Sequence, residues 1–280
     1  MNDYIPQIVS LALKEDIGNG DITTEAIYPG EKNTEAHFIA KQSGIIAGMD
    51  IVKYVFQQIN PDVSVTAFSR EGDRIPNGQH IGTLEGPAGS ILTGERTALN
   101  FLQRMSGIAT RTREYVDIIS GTEAKILDTR KTVPGHRATD KIAVHTGGGV
   151  NHRIGLYDQY LIKENHINVA GGVTEAIDRC VTHRQATGGN SLIEVEVRNM
   201  NEVQEAAAHD AVDLLLLDNM SFDDMAKVVR FVDGSKKLEA SGNVNRQTVR
   251  SIAETGVDFI SVGELTHSVA ALDISLLFPE

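Results

Sequence analysis

From residue 124 onward the chain repeats one arrangement: a short apolar run, a polar residue or glycine at its end, then a helical stretch. The runs are AKILDT (124–129), QYLIK (159–163), LIEVEV (192–197), VDLLLLD (212–218), KLEAS (237–241) and DFISVG (258–263). Segments such as GVTEAIDRCVTHRQA, NEVQEAAAHD, SFDDMAKVVRFV and NRQTVRSIAETG separate most of them. Strands alternating with helices predict parallel βαβ units, because a parallel pair needs a crossover to bring the chain back. A run such as LLLL suits a strand covered on both faces. Six clear strands, with room for one more between 138 and 157, predict an incomplete or irregular barrel rather than a regular eightfold one.

The first part of the chain has a different rhythm. Residues 4–15 place Ile5, Ile8, Val9, Leu11 and Leu13 near helical spacing, and DIGNGDITT then interrupts. From 34 to about 90, AHFIAK, GIIAG, VSVTAFS and HIGTLEG are short, β-branched and punctuated by Gly, Pro, Asn and Asp. They predict a small, mainly antiparallel sheet, with a helix over MDIVKYVFQQI. Residues 91–119 read as one long helix, with Ser106–Gly107 as the place for a bend.

Composition excludes several classes. With 41% hydrophobic residues among 280, the chain can build a real core. A single cysteine, Cys180, rules out an internal disulfide and a multi-cysteine zinc site, and points to a reducing, cytoplasmic setting. On its helix Cys180 reads as a small apolar filler. The opening residues lack a basic, apolar leader, and no run of 18 apolar residues occurs, so neither signal peptide nor membrane span is expected. A net charge of −12 argues against nucleic acid as a partner.

Against that acidic background, residues 130–166 hold six cations: Arg130, Lys131, Arg137, Lys141, Arg153 and Lys163. Only Asp140, Asp158 and Glu164 oppose them, so a focused site for a small anion is expected. In a parallel α/β barrel the chemistry gathers at the carboxyl ends of the strands. Those ends supply Asp128, Thr129, Arg130 and Lys131, then Lys163 and Asn165, Glu196, Asp218 and Asn219, Glu239 with Ser241 and Gly242, and finally Gly263. Loops after the last strands of such barrels often bind phosphate through backbone N–H groups, which suits Ser-Gly-Asn at 241–243 and the turn at Gly263. Arg forks onto carboxylates and Lys meets phosphate as a point charge. Glu196 and Asp218 among such cations suit sugar hydroxyls or a divalent metal bridging to phosphate. The residues thus point to an enzyme for a phosphosugar substrate, Mg²⁺-assisted. A Schiff-base phosphosugar aldolase using Lys163 remains open on these grounds, as does a non-catalytic anion-binding barrel.

Three motifs are set aside. TGGGVNHR does not follow G-x-G-x-x-G. His145 and His152 lack the spacing of a zinc site. DIGNGD lacks the alternating oxygen ligands of a calcium loop and reads as a turn.

Taken together, GERTALNFLQRMSGIAT, DTRKTVPGHR, HTGGGVNHRIGLYD, LIKENH, EVEV, LLLDN, EASGN and GVDFISVGELTHS resemble the quinolinate phosphoribosyltransferase family, as does EDIGNGDITT. The resemblance spans almost the whole chain. It implies an α/β fold: an open-faced α/β sandwich over residues 1–105, onto which 268–280 pack back, and an irregular, seven-stranded α/β barrel over 106–267. It implies transfer of phosphoribosyl from phosphoribosyl pyrophosphate to quinolinate with loss of CO₂, in a homodimer or higher even oligomer with shared sites. A paralogous transferase acting on another pyridine is the near alternative. By the same resemblance, Thr129, Arg130, His152, Arg153 and Lys163 surround quinolinate, and Arg96 reaches it from a neighbouring subunit. Lys131 and Lys163 face the donor, and Glu196 and Asp218 hold ribose hydroxyls or Mg²⁺. Ser241, Gly242 and Asn243 take the 5′-phosphate with Val262, Gly263, Glu264 and His267. Asn243 stands where the family often has Gly. Lys131, Lys163, Glu196 and Asp218 are the expected catalytic set.

Overall fold

The structure is a computed structural model and describes residues 4–28 and 32–279. In chain order its elements begin with α1 (Tyr4–Ile17), α2 (Ile22–Ile27), β1 (Asn33–Ala40), β2 (Gly44–Ile45), α3 (Met49–Ile59), β3 (Ser64–Ala67), β4 (Arg74–Ile75), β5 (His80–Pro87) and α4 (Ala88–Ile118). They continue with β6 (Lys125–Leu127), α5 (Arg137–Thr146), β7 (Tyr160–Ile162), α6 (Glu164–Ala170), α7 (Val173–Thr187), β8 (Ile193–Val197), α8 (Met200–Ala207) and β9 (Leu214–Asp218). The last are α9 (Phe222–Val232), β10 (Lys237–Ser241), α10 (Val249–Ala253), β11 (Phe259–Ser261), α11 (Glu264–His267) and β12 (Ile274–Leu277). Two compact units emerge. One holds Met1–Arg113, Thr132–Gly148 and Glu264–Glu280; the other holds Glu114–Lys131 and Gly149–Gly263.

The first unit is built on an antiparallel sheet ordered β12-β1-β5-β3, with β2 and β4 paired separately. Alternation along β1 buries Ala36, Phe38 and Ala40 on one face, the period-2 pattern of a sheet with one covered side. α3 packs an apolar stripe of Val52, Val55 and Phe56. Its start is capped from a distance, since the Glu71 carboxylate accepts the N–H groups of Gly48 and Met49 at 2.8 and 2.7 Å. DIGNGDITT is more than a turn: Asp21 caps α2 by accepting the Thr24 N–H at 3.0 Å. α4 runs unbroken through Ser106 and Gly107. Gly107 answers a packing need instead, because a Cβ there would sit 2.2 Å from the carbonyl oxygen of Ala270.

The second unit is a parallel sheet ordered β6-β11-β10-β9-β8-β7. Beside β6 a seventh position is filled by a single residue: the Val150 N–H donates to Ile126 O at 2.8 Å, and the Asp128 N–H donates to Val150 O at 3.2 Å. That is the strand expected between 138 and 157, reduced to one bridge because α5 occupies much of the interval. The fold is α/β, with a seven-position irregular barrel and an antiparallel α/β unit. Among the described residues no ladder joins Val150 to β7. Leu215, Leu216 and Leu217 of β9 are buried, as are Val203 of α8, Met225 and Val228 of α9 and Ile252 of α10. Each such side chain contributes roughly 1.5–3 kcal/mol on burial.

Candidate active site

Parallel register aligns the strand ends of the second unit. Glu196 of β8 lies level with Leu216 of β9, which lies level with Glu239 of β10; one step further, Asp218 lies level with Ser241. Successive side chains on a strand alternate faces, so Glu194 and Glu196 share one face, as do Leu216 with Asp218 and Glu239 with Ser241. Of these, Glu196, Leu216, Asp218, Glu239 and Ser241 line a cavity of about 570 Å³ with Thr129, Arg130, Lys131, His152, Arg153, Leu161, Lys163, Asn219, Gly242, Asn243 and Ser261. The volume suits a small-molecule site.

The cavity thus gathers eleven of the sixteen expected site residues, all but Arg96, Val262, Gly263, Glu264 and His267. Arg96 is on α4 in the first unit. Val262 and Gly263 follow β11, and the Val262 N–H is already committed to Leu127 O at 2.9 Å. Any anion contact in that loop therefore begins at Gly263. Glu264, with Arg111 Nη1 at 3.5 Å, and His267, whose Nδ1 meets Ser268 Oγ at 2.7 Å, belong to the first unit. The six-cation patch also divides: Arg130, Lys131, Arg153 and Lys163 line the cavity, whereas Arg137 and Lys141 are in the first unit.

The cationic wall is balanced from below. Arg153 is largely buried and donates from Nη1 to Gln159 O at 3.2 Å. Burial, then the neighbouring Arg130 charge, pull its pKa below the ordinary guanidinium value, while Glu194 and Asp158 pull it back. The Lys163 ammonium donates to Glu196 Oε2 at 2.8 Å and is half exposed. A Schiff-base lysine is activated by an apolar, desolvated pocket; this one is paired with a carboxylate, which weighs against the aldolase reading.

Sequence reasoning singled out His152 but not what holds it. Its Nε2 lies 3.1 Å from Glu194 Oε2 and 3.2 Å from Glu239 Oε2, both carboxylates being buried. Gln159 Nε2 also donates to Glu194 Oε2, at 2.8 Å. Burial disfavours a charged ring, but the bonds to and charges of the two glutamates raise its pKa to about 10. Geometry opposes that value. Nδ1 already accepts the Arg153 N–H at 2.7 Å, so its lone pair is in use and the ring proton sits on Nε2. The extra proton is therefore better placed on Glu194, whose carboxyl pKa is lifted to about 7 by burial, then by the Glu239 charge. With both nitrogens engaged, His152 lines the cavity while accepting the backbone N–H of Arg153. The signal in the sequence was Glu194 itself, an acid in the middle of an apolar strand, IEVEV.

His152, Glu194 and Glu239 also form the one cluster of three metal-ligating side chains among the described residues. His145 is not part of it. Glu196 and Asp218 fit Mg²⁺ in another way. Mg²⁺ is commonly held by one or two carboxylates with substrate phosphates completing its shell, and both carboxylates line the cavity beside the Ser241–Asn243 loop. Cys180 of α7 is partly buried, which pushes its thiol pKa up, as expected of a filler. No helix among the described residues is long and apolar enough to cross a membrane.

Two family models match the chain: the quinolinate phosphoribosyl transferase N-terminal domain over residues 21–106 and its C-terminal domain over 108–277. A Bacillus subtilis (strain 168) protein described as a probable nicotinate-nucleotide pyrophosphorylase (carboxylating) is 44% identical over 262 residues, covering 94% of this chain and 89% of the relative. A mitochondrial quinolinate phosphoribosyltransferase (decarboxylating) of Nicotiana tabacum is 42% identical over 287 residues, covering 97% and 81%. The solved nicotinate-nucleotide pyrophosphorylase of Francisella tularensis superposes with a TM-score of 0.93 at 42% identity, covering 100% of this chain and 97% of that one. With both domain models matched in order and this cavity at the barrel rim, the chain belongs to the quinolinate phosphoribosyltransferase family.

Proposed function

We propose that the protein transfers phosphoribosyl from phosphoribosyl pyrophosphate to quinolinate with decarboxylation, giving nicotinate mononucleotide, pyrophosphate and CO₂ in NAD biosynthesis. The observation that carries this reading is the sharing of one cavity by four cations, three carboxylates and a Ser-Gly-Asn turn. Arg130, Arg153 and Lys163, with Thr129, hold the two carboxylates of quinolinate. Lys131 faces the pyrophosphate, and Ser241–Asn243 takes the 5′-phosphate through backbone N–H groups.

The chemistry needs no covalent nucleophile. The pyridine nitrogen attacks ribose C1 as the C1–O bond to pyrophosphate breaks, and the bonding pair leaves with the pyrophosphate. The ring becomes cationic, and that charge stabilises the carbanion left when the adjacent carboxylate departs as CO₂; a proton then fills the position. The cavity chiefly brings together two polyanions that repel each other in water. Glu196 and Asp218 would hold Mg²⁺ or the ribose hydroxyls. Mg²⁺, when bound, would neutralise charge on the pyrophosphate.

The proposal includes a homodimer or higher even oligomer in which Arg96 serves a partner's site. The family relationship supports it. The single Cys180 supports a cytoplasmic location. Assaying quinolinate, nicotinate and nicotinamide in parallel, each with phosphoribosyl pyrophosphate and Mg²⁺, tests the reaction. Turnover with release of CO₂ is expected from quinolinate alone; turnover of nicotinate or nicotinamide instead would assign a paralogous transferase.

A further inference from the structure

The residue after β9, Asn219, adopts a left-handed backbone with φ of 55°, a conformation that few side chains other than Asn accept. Its backbone N–H donates to Ser241 O at 2.9 Å, joining the ends of β9 and β10. The side-chain amide then works in two directions. Nδ2 donates to Asp218 Oδ2 at 3.0 Å, and Oδ1 accepts from Asn243 Nδ2 at 3.0 Å. The turn carrying Asn243 passes directly over this amide. A Cβ on Gly242 would lie 2.2 Å from Asn219 Oδ1 and 2.5 Å from its Cγ, and Gly242 itself has φ of +92°. Asn243 is also left-handed, at 51°. Three consecutive contacts and three positive φ values thus fix one amide between an acid and a turn.

A plain strand-end tie would need only the backbone bond to Ser241. The side chain adds a link between the two groups expected to grip opposite ends of the donor's sugar. We infer that Asn219 is a positioning residue for the phosphoribosyl donor. It sets the Asp218 carboxylate at a fixed separation from the Ser241–Asn243 turn, so that ribose hydroxyls and 5′-phosphate are held together. Its side-chain hydrogen bonds run to Asp218 and Asn243. This inference rests on the proposed reaction for its substrate, and Asn219 acts through Asp218 and Asn243.

Two variants separate its parts. Asn219→Gly accepts the backbone conformation and deletes the amide. Asn219→Asp keeps shape and the acceptor for Asn243 but replaces the donor to Asp218 with a like charge. The probe is ribose 5-phosphate, titrated calorimetrically without metal or quinolinate, alongside KM for the donor, KM for quinolinate and the melting temperature. Both variants are expected to weaken ribose 5-phosphate binding and raise the donor KM by about tenfold, as for loss of one polar contact. Quinolinate KM should stay within about twofold, and the Gly variant should melt as the wild type does. Unchanged ribose 5-phosphate affinity in both variants would overturn the inference. So would equal weakening toward donor and quinolinate, the mark of a general structural role. A wild type that binds ribose 5-phosphate but does not turn over quinolinate would refute the assigned reaction instead, and the same titration would still decide the role of Asn219.

Discussion

Arg153→Met tests whether the cationic wall exists for its ligand rather than for the fold. Arg153 is 9% exposed, so its stem is packed and its charge poorly solvated. Methionine keeps most of that packing and removes the charge. Losing a charged contact to a bound carboxylate costs about 2–5 kcal/mol, which corresponds to a fall of about 30- to 5000-fold in kcat/KM for quinolinate. The folded protein should lose much less. The bond to Gln159 O disappears, but so does the repulsion from Arg130 that helps depress the Arg153 pKa. These effects oppose each other, so the melting temperature without substrate should move by no more than about 3 °C. Steady-state kinetics with quinolinate varied at saturating donor, paired with thermal unfolding, reads both quantities. A variant with kcat/KM within about threefold of wild type would refute the reasoning. So would one whose activity falls only because it unfolds.

Three further outcomes are expected. Gly107→Ala should destabilise the first unit by about 2 kcal/mol: helix propensity favours alanine by roughly 1 kcal/mol, but overpacking against the Ala270 carbonyl costs more; a urea midpoint equal to or above wild type contradicts this. Mixing Arg96→Ala subunits with Lys131→Ala subunits should restore part of the activity that each lacks, and no recovery in verified mixed oligomers counts against shared sites. Glu194 has a pKa raised from 4.5 to about 7 by burial and then Glu239, so the folded state binds the extra proton; stability from this group is fully present below pH 4.5 and is lost as pH rises toward 7. Glu239→Gln should flatten that decline by removing the neighbouring charge, and parallel melting curves across the window would show that the two acids are not linked.

The barrel was legible because its strands are buried on both faces and its connections are helical. VDLLLLD and KLEAS read as strands with polar ends, and β9 and β10 place Asp218 level with Ser241 as adjacent parallel strands should. The cavity followed from the same logic, since residues at the ends of neighbouring parallel strands must converge. What the sequence hid depended on alternation and on distance. Glu194 sits inside a strand, and only the pairing of β8 with β9 and the approach of His152 explain a buried acid there. The seventh strand could be expected only as an interval, 138–157, because one bridging residue, Val150, has no periodicity. Gly107 suggested a hinge from local propensity, yet its cause is a backbone 163 positions later, Ala270. The Lys163–Glu196 pair escaped for a similar reason, because nothing local links two residues 33 positions apart.

The pairing of β12 with β1, in which Ala40 lies opposite Ile274 and His37 opposite Leu277, has a consequence for biosynthesis. During translation β1 emerges early and the whole of the parallel sheet follows before its outer neighbour is made. Until then β1 presents an unsatisfied edge, the kind of surface that recruits other chains into aggregates. The later-encoded barrel unit has all its strands available sooner after it starts than the earlier-encoded one does. Nascent chains stalled before residue 274 should therefore be the species that most needs chaperone protection.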